Sequence, residues 1–259
     1  MRRAAMVTRR AALVAARSWP DHLAAVQALF AGDVVGGVWS WSEAGHRWTD
    51  LAGATPAGDT DPVGRLTPLA GAAILSADAV DNRPTGIATG LKFDGINDAM
   101  ISTATVTPNS KVATVMFSGR LPESGPRIVA AMGADSAVDP YRISLVRQDD
   151  RLHARITGSS GNYRVSFPMD EARHTTVVTF DGTTAAGEIA AYVDGVEATL
   201  TIENSTREGT LFLKPDSIHL ATYGSNNCYD LTLNALAFAF ALKADADQRE
   251  ILRLWGAAQ

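Results

Sequence analysis

Three side chains that carry oxygen atoms lie within five residues of one another near the middle of the chain. Asp94, Asn97 and Asp98 flank the glycine at position 95. Carboxylate and amide oxygens are ligands for Ca²⁺, although a full calcium shell takes about six to eight oxygens. The same Asp-Gly pattern is typical of turns in which an Asp or Asn side chain accepts hydrogen bonds from nearby backbone. The spacing therefore allows a calcium site or a plain turn, and we expect the turn.

Two loops combine tyrosine, asparagine and small residues, a mixture that suits sugar recognition. They span residues 158–163 and 223–230. A sugar offers C–H groups that stack on an aromatic ring and hydroxyl groups that pair with amides or carboxylates. Because glycine, serine and asparagine are also ordinary loop residues, a purely structural role fits as well. The candidate carbohydrate-binding residues are Asn162, Tyr163, Asn226, Asn227, Tyr229 and Asp230.

The acidic residues lack the arrangement that a glycoside hydrolase needs. Such an enzyme places two carboxylates around the scissile bond. Asp149 and Asp150 are adjacent, as are Asp170 and Glu171, so each pair points to opposite faces of a strand or sits in a turn. The chain also has no nucleophile elbow and no glycine-rich phosphate loop. We expect no catalytic residue and no enzymatic activity, and keep a polysaccharide-degrading hydrolase as an alternative because distant carboxylates can converge.

The composition is that of a globular protein with an acidic body. The chain has 259 residues, of which 46% are hydrophobic and 20% charged, and a net charge of −5. Residues 1–20 contain five arginines and no acid, so the rest of the chain is more acidic than the total indicates. Nucleic-acid binding needs clustered Lys and Arg and is not expected. The single cysteine, Cys228, excludes an intramolecular disulfide, and the apolar run 235–242 is too short to span a bilayer.

Short alternating strands must position the candidate residues. Between residues 91 and 242, apolar and polar positions alternate and turn residues separate the runs. Asp-Gly pairs at 94–95 and 194–195 predict tight turns, because glycine adopts the positive φ that hairpin turns require. Residues 111–117 and 235–242 are apolar on both faces, which predicts central strands of packed sheets. The pattern predicts a β-sandwich.

The chain divides into three predicted regions. Residues 1–32 are predicted to form a helical arm with a helix over 21–30. The apolar side of this helix can dock the protein on a partner or oligomerise it, and the alternative is a frayed terminus. Residues 33–90 are rich in proline and turns, and we expect them to wrap the sandwich and add one edge strand. Residues 91–259 form the main sandwich and end in a helix. That helix is capped by Asp245 with Gln248 and buries Ile251, Leu252 and Trp255.

Several motifs, taken in their order and spacing, resemble a known family. The stretches 174–182, 189–195 and 231–252 are similar to the laminin-G-like, concanavalin-A-like jelly roll. The front half resembles the version of this domain found in phage, prophage and gene-transfer-agent-like virion proteins. Its matching motifs are Gly37-Val38-Trp39, Trp48-Thr49-Asp50, Gly53-Ala54-Thr55-Pro56, Asp61-Pro62-Val63-Gly64, Arg83-Pro84 and Leu91-Lys92-Phe93-Asp94-Gly95.

The resemblance covers about residues 33–256 and carries expectations about fold and function. It implies an all-β, two-sheet antiparallel jelly-roll sandwich with an N-terminal helical arm and a short C-terminal helix. The implied task is non-enzymatic binding of host cell-surface polysaccharide by a spike or fibre on a virion. The alternative is a structural decoration or assembly protein. Pro68-Leu69-Ala70-Gly71 replaces the aspartate-rich segment of the family pattern, which weakens any inherited metal site.

The partners and location follow from the same expectations. We expect the arm to bind other virion proteins and to support a homo-oligomer, with a trimer as the working stoichiometry. Calcium is the one cofactor that the residues suggest. We also expect synthesis in the bacterial cytoplasm without a signal peptide. No nucleic-acid partner and no membrane insertion are expected.

Overall fold

The computed structural model describes residues 19–259 apart from several short segments. These segments are 44, 78, 109, 123–126, 133–141, 159–160, 184–187, 208–214 and 223–229. The predictions for Asn226, Asn227, Cys228 and Tyr229, and for residues 1–18 of the arm, therefore lie outside the described residues.

Two helices and nineteen strands make up the described part of the chain. Helix α1 spans Trp19–Leu29, helix α2 spans Ala246–Ala257, and a 3₁₀ turn spans Val80–Asn82. Strands β1 to β10 are Val35–Ser40, Arg47–Trp48, Arg65–Leu66, Ala70–Gly71, Leu75–Ser76, Thr85–Ile87, Gly90–Asp94, Met100–Ser102, Val112–Arg120 and Arg127–Met132. Strands β11 to β19 are Arg142–Gln148, Arg151–Gly158, Gly161–Pro168, Arg173–Asp181, Glu188–Val193, Val196–Glu197, Thr201–Arg207, Ile218–Leu220 and Asp230–Phe240.

The strands form two antiparallel sheets. In the described residues, the nine-stranded sheet has the order β16-β15-β14-β9-β19-β1-β4, with β7 also paired to β19 and β6 paired to β7. The ten-stranded sheet has the order β17-β13-β12-β11-β10-β18-β8-β5-β3-β2. β9 and β19, the two strands predicted to be central, are neighbours inside the first sheet. The predicted all-β, two-sheet jelly-roll sandwich with a helix at each end is confirmed.

The turn-rich segment contributes far more than the single edge strand predicted for it. β1 pairs with β19 along all six of its residues and lies between β19 and β4. Gly36 permits this close approach, because a Cβ atom there would collide with the carbonyl of Phe238. β2, β3 and β5 form one edge of the ten-stranded sheet, each only two residues long. The prediction of one edge strand was wrong: β1 lies inside its sheet, and the two-residue strands are too short to show alternation.

One continuous hydrophobic core fills the space between the two sheets. Trp39, Trp41, Phe93, Phe167 and Phe180 are among its fully buried side chains. The indole N–H of Trp39 is satisfied by the carbonyl oxygen of Ala73 at 3.1 Å. These tryptophans therefore stabilise the sandwich from inside and are not exposed for stacking on a ligand.

Both helices cover the outer face of the nine-stranded sheet. Leu252 and Trp255 of α2 are buried in a second apolar cluster together with Val26 of α1 and Met116 of β9. A capping box starts α2: the Asp245 carboxylate accepts from the N–H of the third helical residue, and that residue's side chain accepts from the Asp245 N–H, each at 2.9 Å. The predicted cap and apolar side of α2 are confirmed. No helix among the described residues is long and apolar enough to cross a membrane.

The described end of the arm packs on the sandwich. Val26 is buried, and Leu29 and Phe30 pack against the same cluster as the α2 side chains. The Gln27 side chain donates to the carbonyl oxygen of Leu69 at 3.0 Å. The apolar side of this helix is thus occupied by its own sandwich, and a docking role for residues 1–32 stays a prediction.

Candidate functional site

One outer face of the sandwich carries polar side chains instead of helices. Leu152, Ala154 and Ile156 of β12 belong to the core, so the alternate residues of β12 point outward. The antiparallel register places outward residues of β13 and β17 beside them. We call the outward set the polar face; its members are Arg151, His153, Arg155, Asn162, Arg164, Ser166 and Glu203.

Arg164 occupies the middle of the polar face. Its Nη2 and Nε lie 2.8 and 3.2 Å from His153 Nδ1, and Nη2 also lies 3.4 Å from Gln148 Oε1. Its Nε is 3.4 Å from Glu203 Oε2, and the side chain is 35% exposed. The guanidinium group is therefore oriented by several neighbours while part of its surface is open to solvent.

The other two arginines of the polar face are held in a similar way. Arg151 Nε donates to Ser166 Oγ at 2.8 Å, and its Nη2 donates to Thr201 Oγ1 at 2.9 Å. Arg155 Nε donates to Asn162 Oδ1 at 3.1 Å. Because these guanidinium groups are already ordered across neighbouring strands, binding an anion would cost less conformational entropy than it would for mobile arginines.

Burial and charge set the ionisation of the polar face. Burial lowers the pKa of His153, and the positive charge of Arg164 lowers it further, against a smaller opposing effect of Glu203. His153 is therefore neutral at pH 7. A hydrogen bond from Ser166 lowers the pKa of Glu203, which stays ionised. The face thus presents arginine cations, one carboxylate and a neutral imidazole.

The structure separates the two predicted sugar-binding residues of the first loop. Asn162 and Tyr163 both belong to β13, so they point to opposite sides of the sheet. Asn162 lies on the polar face, whereas Tyr163 packs against the core. The two side chains therefore do not share one surface, because β13 already begins at Gly161. Carbohydrate binding by either residue stays a prediction. Carbohydrate binding by the residues of the second loop stays a prediction.

Asp94, Asn97 and Asp98 form a compact turn. One carboxylate oxygen of Asp94 accepts from the N–H groups of Ile96, Asn97 and Asp98 at 2.8 to 3.3 Å. Asp98 accepts from the N–H of Asp94 at 2.8 Å, and burial raises the pKa of Asp98 to about 6. Asp230, a predicted sugar-binding residue, lies opposite Asp94 at the start of β19.

The carboxylates of this turn are used in local hydrogen bonds, and calcium binding by them stays a prediction. One oxygen of Asp94 accepts from three backbone N–H groups, and one oxygen of Asp98 accepts from the N–H of Asp94. Among the described residues, no group of three or more His, Cys, Asp or Glu side chains is arranged to hold a metal ion. The geometry favours the turn interpretation that the sequence also favoured.

A separate cavity of about 660 Å³ opens at the rim where the two sheets meet. Arg147, Met169, Asp170 and His174 are among its lining residues. His174 lies between two carboxylates, with Nε2 2.7 Å from Asp170 Oδ1 and Nδ1 2.6 Å from Asp194 Oδ2. Both carboxylates contact His174, so this cluster connects the two loops that carry Asp170 and Asp194.

Among the described residues, the polar face carries a single carboxylate. Glu203 is the one acidic residue on β11, β12, β13 and β17 as the structure defines those strands. A glycosidase mechanism of the usual kind needs two. Arg151, Arg155 and Arg164 were not predicted as site residues from the sequence. The available signal was their spacing, since basic and polar residues alternate with core residues on two consecutive strands.

Comparisons with known proteins identify the fold. No family model matches the chain, and no curated protein matches it. The structure is similar to Trypanosoma rangeli sialidase, with a TM-score of 0.54, 14% identity, and coverage of 87% of this chain and 33% of the sialidase. It is also similar to a mutant of the protein HCR/D, with a TM-score of 0.52, 10% identity, and coverage of 83% and 51%.

A weaker similarity links the chain to the CBM40 of the Ruminococcus gnavus IT-sialidase. The TM-score is 0.41 and the identity 11%, over 56% of this chain and 83% of the other. The chain thus spans about a third of the sialidase and half of HCR/D. At these identities the two stronger similarities show a shared jelly-roll fold.

Proposed function

We propose that the chain is a non-enzymatic module that binds host cell-surface polysaccharide through its polar face. The observation that carries this proposal is the set of ordered polar side chains on the sheet face that the helices do not cover. The guanidinium groups of the polar face supply donors for sugar hydroxyls, and the Asn162 amide and the Glu203 carboxylate supply acceptors. The lack of a carboxylate pair among the described residues of this face supports binding rather than cleavage.

A shallow site of this kind gains strength from repetition. If several copies are displayed on one particle, avidity can exceed single-site affinity by roughly 10²–10⁴. We accordingly propose that the chain is a spike or fibre protein on the surface of a phage or phage-like particle. The resemblance of its front half to virion domains supports this location. Attachment through residues 1–32 and a trimeric state belong to the same proposal.

The proposal is tested by binding of the purified protein to capsulated and capsule-free cells of the same bacterial strain. We expect binding to the capsulated cells and at least tenfold weaker binding by Arg164→Gln, because the substitution removes a charged donor from the centre of the face. Arg120→Gln is the matched control. Arg120 lies in the other sheet, is 61% exposed and contacts Glu171 at 3.4 Å.

Two outcomes would favour other functions. Equal or absent binding to both kinds of cell would favour a structural decoration protein, and the partners would then be sought in the particle. Release of reducing ends from the capsule would establish a hydrolase instead.

A further inference from the structure

Two arginines lie directly opposite each other on the polar face. Arg155 of β12 and Arg164 of β13 are partners in the antiparallel register, and both point outward. Side chains in such positions have Cβ atoms about 5 Å apart, and like charges there destabilise a sheet. Glu203 contacts Arg164 and offsets part of this repulsion.

The polar face is positive although the whole chain is negative. Its members carry three arginines and one glutamate, and His153 is neutral. The chain has a net charge of −5. A local excess of positive charge on an acidic protein attracts anionic ligands to one region of its surface.

A buried hydroxyl next to Arg155 adds an independent observation. Thr157 follows Arg155 by two residues on β12, points to the same side and lies opposite Asn162. It is 4% exposed, and among the described residues its Oγ1 has no hydrogen-bond partner. A buried polar atom without a partner is unfavourable. A polar ligand group that entered beside Asn162 would provide that partner.

We infer that the ligand of the polar face is an acidic polysaccharide, with a sugar carboxylate bound between the guanidinium groups of Arg155 and Arg164. The planar guanidinium fork matches a carboxylate in two parallel hydrogen bonds. A carboxylate between the arginines would interact favourably with both positive charges. Asn162 and Thr157 would contact neighbouring hydroxyls of the sugar. This inference rests on the proposed function and specifies the class of its ligand.

The experiment uses a panel of bacterial polysaccharides that contain uronic acids, together with a carboxyl-reduced form of each and a set of neutral polysaccharides. We expect the full chain to bind at least one acidic member and to lose tenfold or more in affinity when its carboxyl groups are reduced to alcohols. Arg155→Gln should cause a similar loss. Arg155→Lys should retain part of the affinity, since it keeps the charge but not the fork. Arg120→Gln should bind like the original protein.

The outcomes separate this inference from the proposed function. Binding to neutral members only, or equal binding to an acidic member and its reduced form, would overturn the inference and leave glycan binding intact. Binding to no polysaccharide would contradict the proposed function itself. Equal binding to poly-L-glutamate, a polyanion without sugar, would show general charge attraction and would also overturn the inference. Carboxyl reduction alters only the ligand, so the test holds even if Arg155→Gln fails to fold.

Discussion

His174 is held by carboxylates from two different loops. Asp170 precedes β14, and Asp194 lies in the turn between β15 and β16. An imidazole donates from both nitrogens only when it is protonated. Burial alone would lower the pKa of His174, but the hydrogen bonds to Asp194 and Asp170 outweigh burial and raise it above the ordinary value. The charged form of His174 is therefore the one that the folded protein prefers.

This preference predicts a pH dependence of stability. A raised pKa contributes stability that is fully present below about pH 6.5 and is lost as the pH rises through the folded-state pKa. We expect the free energy of unfolding to fall by about 1 kcal/mol or less over this range, since partly exposed ion pairs contribute little. Denaturant unfolding between about pH 5.5 and 8.5 measures it. His174→Gln should flatten this part of the curve, and an unchanged slope would contradict the assignment.

Most of the fold was predicted from strand and turn patterns in the sequence. The errors in that prediction have physical causes. The turn at Asp194-Gly195 was predicted from the dipeptide and has φ angles of 50° and 86°, as a type I′ hairpin requires. The two-residue strands β2, β4 and β5 were missed because pairing across the sheet defines them, not local alternation. Tyr163 was placed in a loop beside Asn162, but β13 already begins at Gly161, which turns the two side chains apart.

Helix α2 offers a direct test of local sequence rules. Its capping box satisfies N–H groups that would otherwise lack partners at the helix start. We expect Asp245→Ala to lower the free energy of unfolding by about 1 kcal/mol. Asp245→Asn is the control, because asparagine caps a helix equally well and should change stability little. Thermal unfolding of the three proteins measures the effect. Equal losses in the two variants would show that charge, not capping, stabilises this end.

The candidate site was predicted less completely from the sequence than the fold was. Asn162 was identified and lies on the polar face, but Arg155 and Arg164 were not. Their alternation with core residues could be seen in the sequence. Their position opposite each other could not, because it depends on the register of β12 against β13. The types of single residues therefore indicate which chemistry is available. The register of the strands determines which of those side chains lie next to each other.

Helices α1 and α2 cover one outer face of the sandwich. Because Val26 is fully buried in that contact, removal of residues 1–32 should lower the free energy of unfolding by about 2 kcal/mol. Denaturant unfolding and light scattering of the full and truncated chains measure stability and oligomeric state. A truncated chain that stays equally stable would contradict the packing role of α1. One that also keeps its oligomeric state and enters particles would contradict the docking proposal for the arm.

If the polar face is the surface that binds glycan, a map of the bound surface should show it. NMR spectra of the labelled chain would be compared before and after saturation with oligosaccharides cut from the capsule that it binds. We expect shifts to concentrate on β12, β13 and β17, around Arg155 and Arg164, and to be absent from the helices. Shifts confined to the rim cavity around His174, or to the helix-covered face, would contradict it.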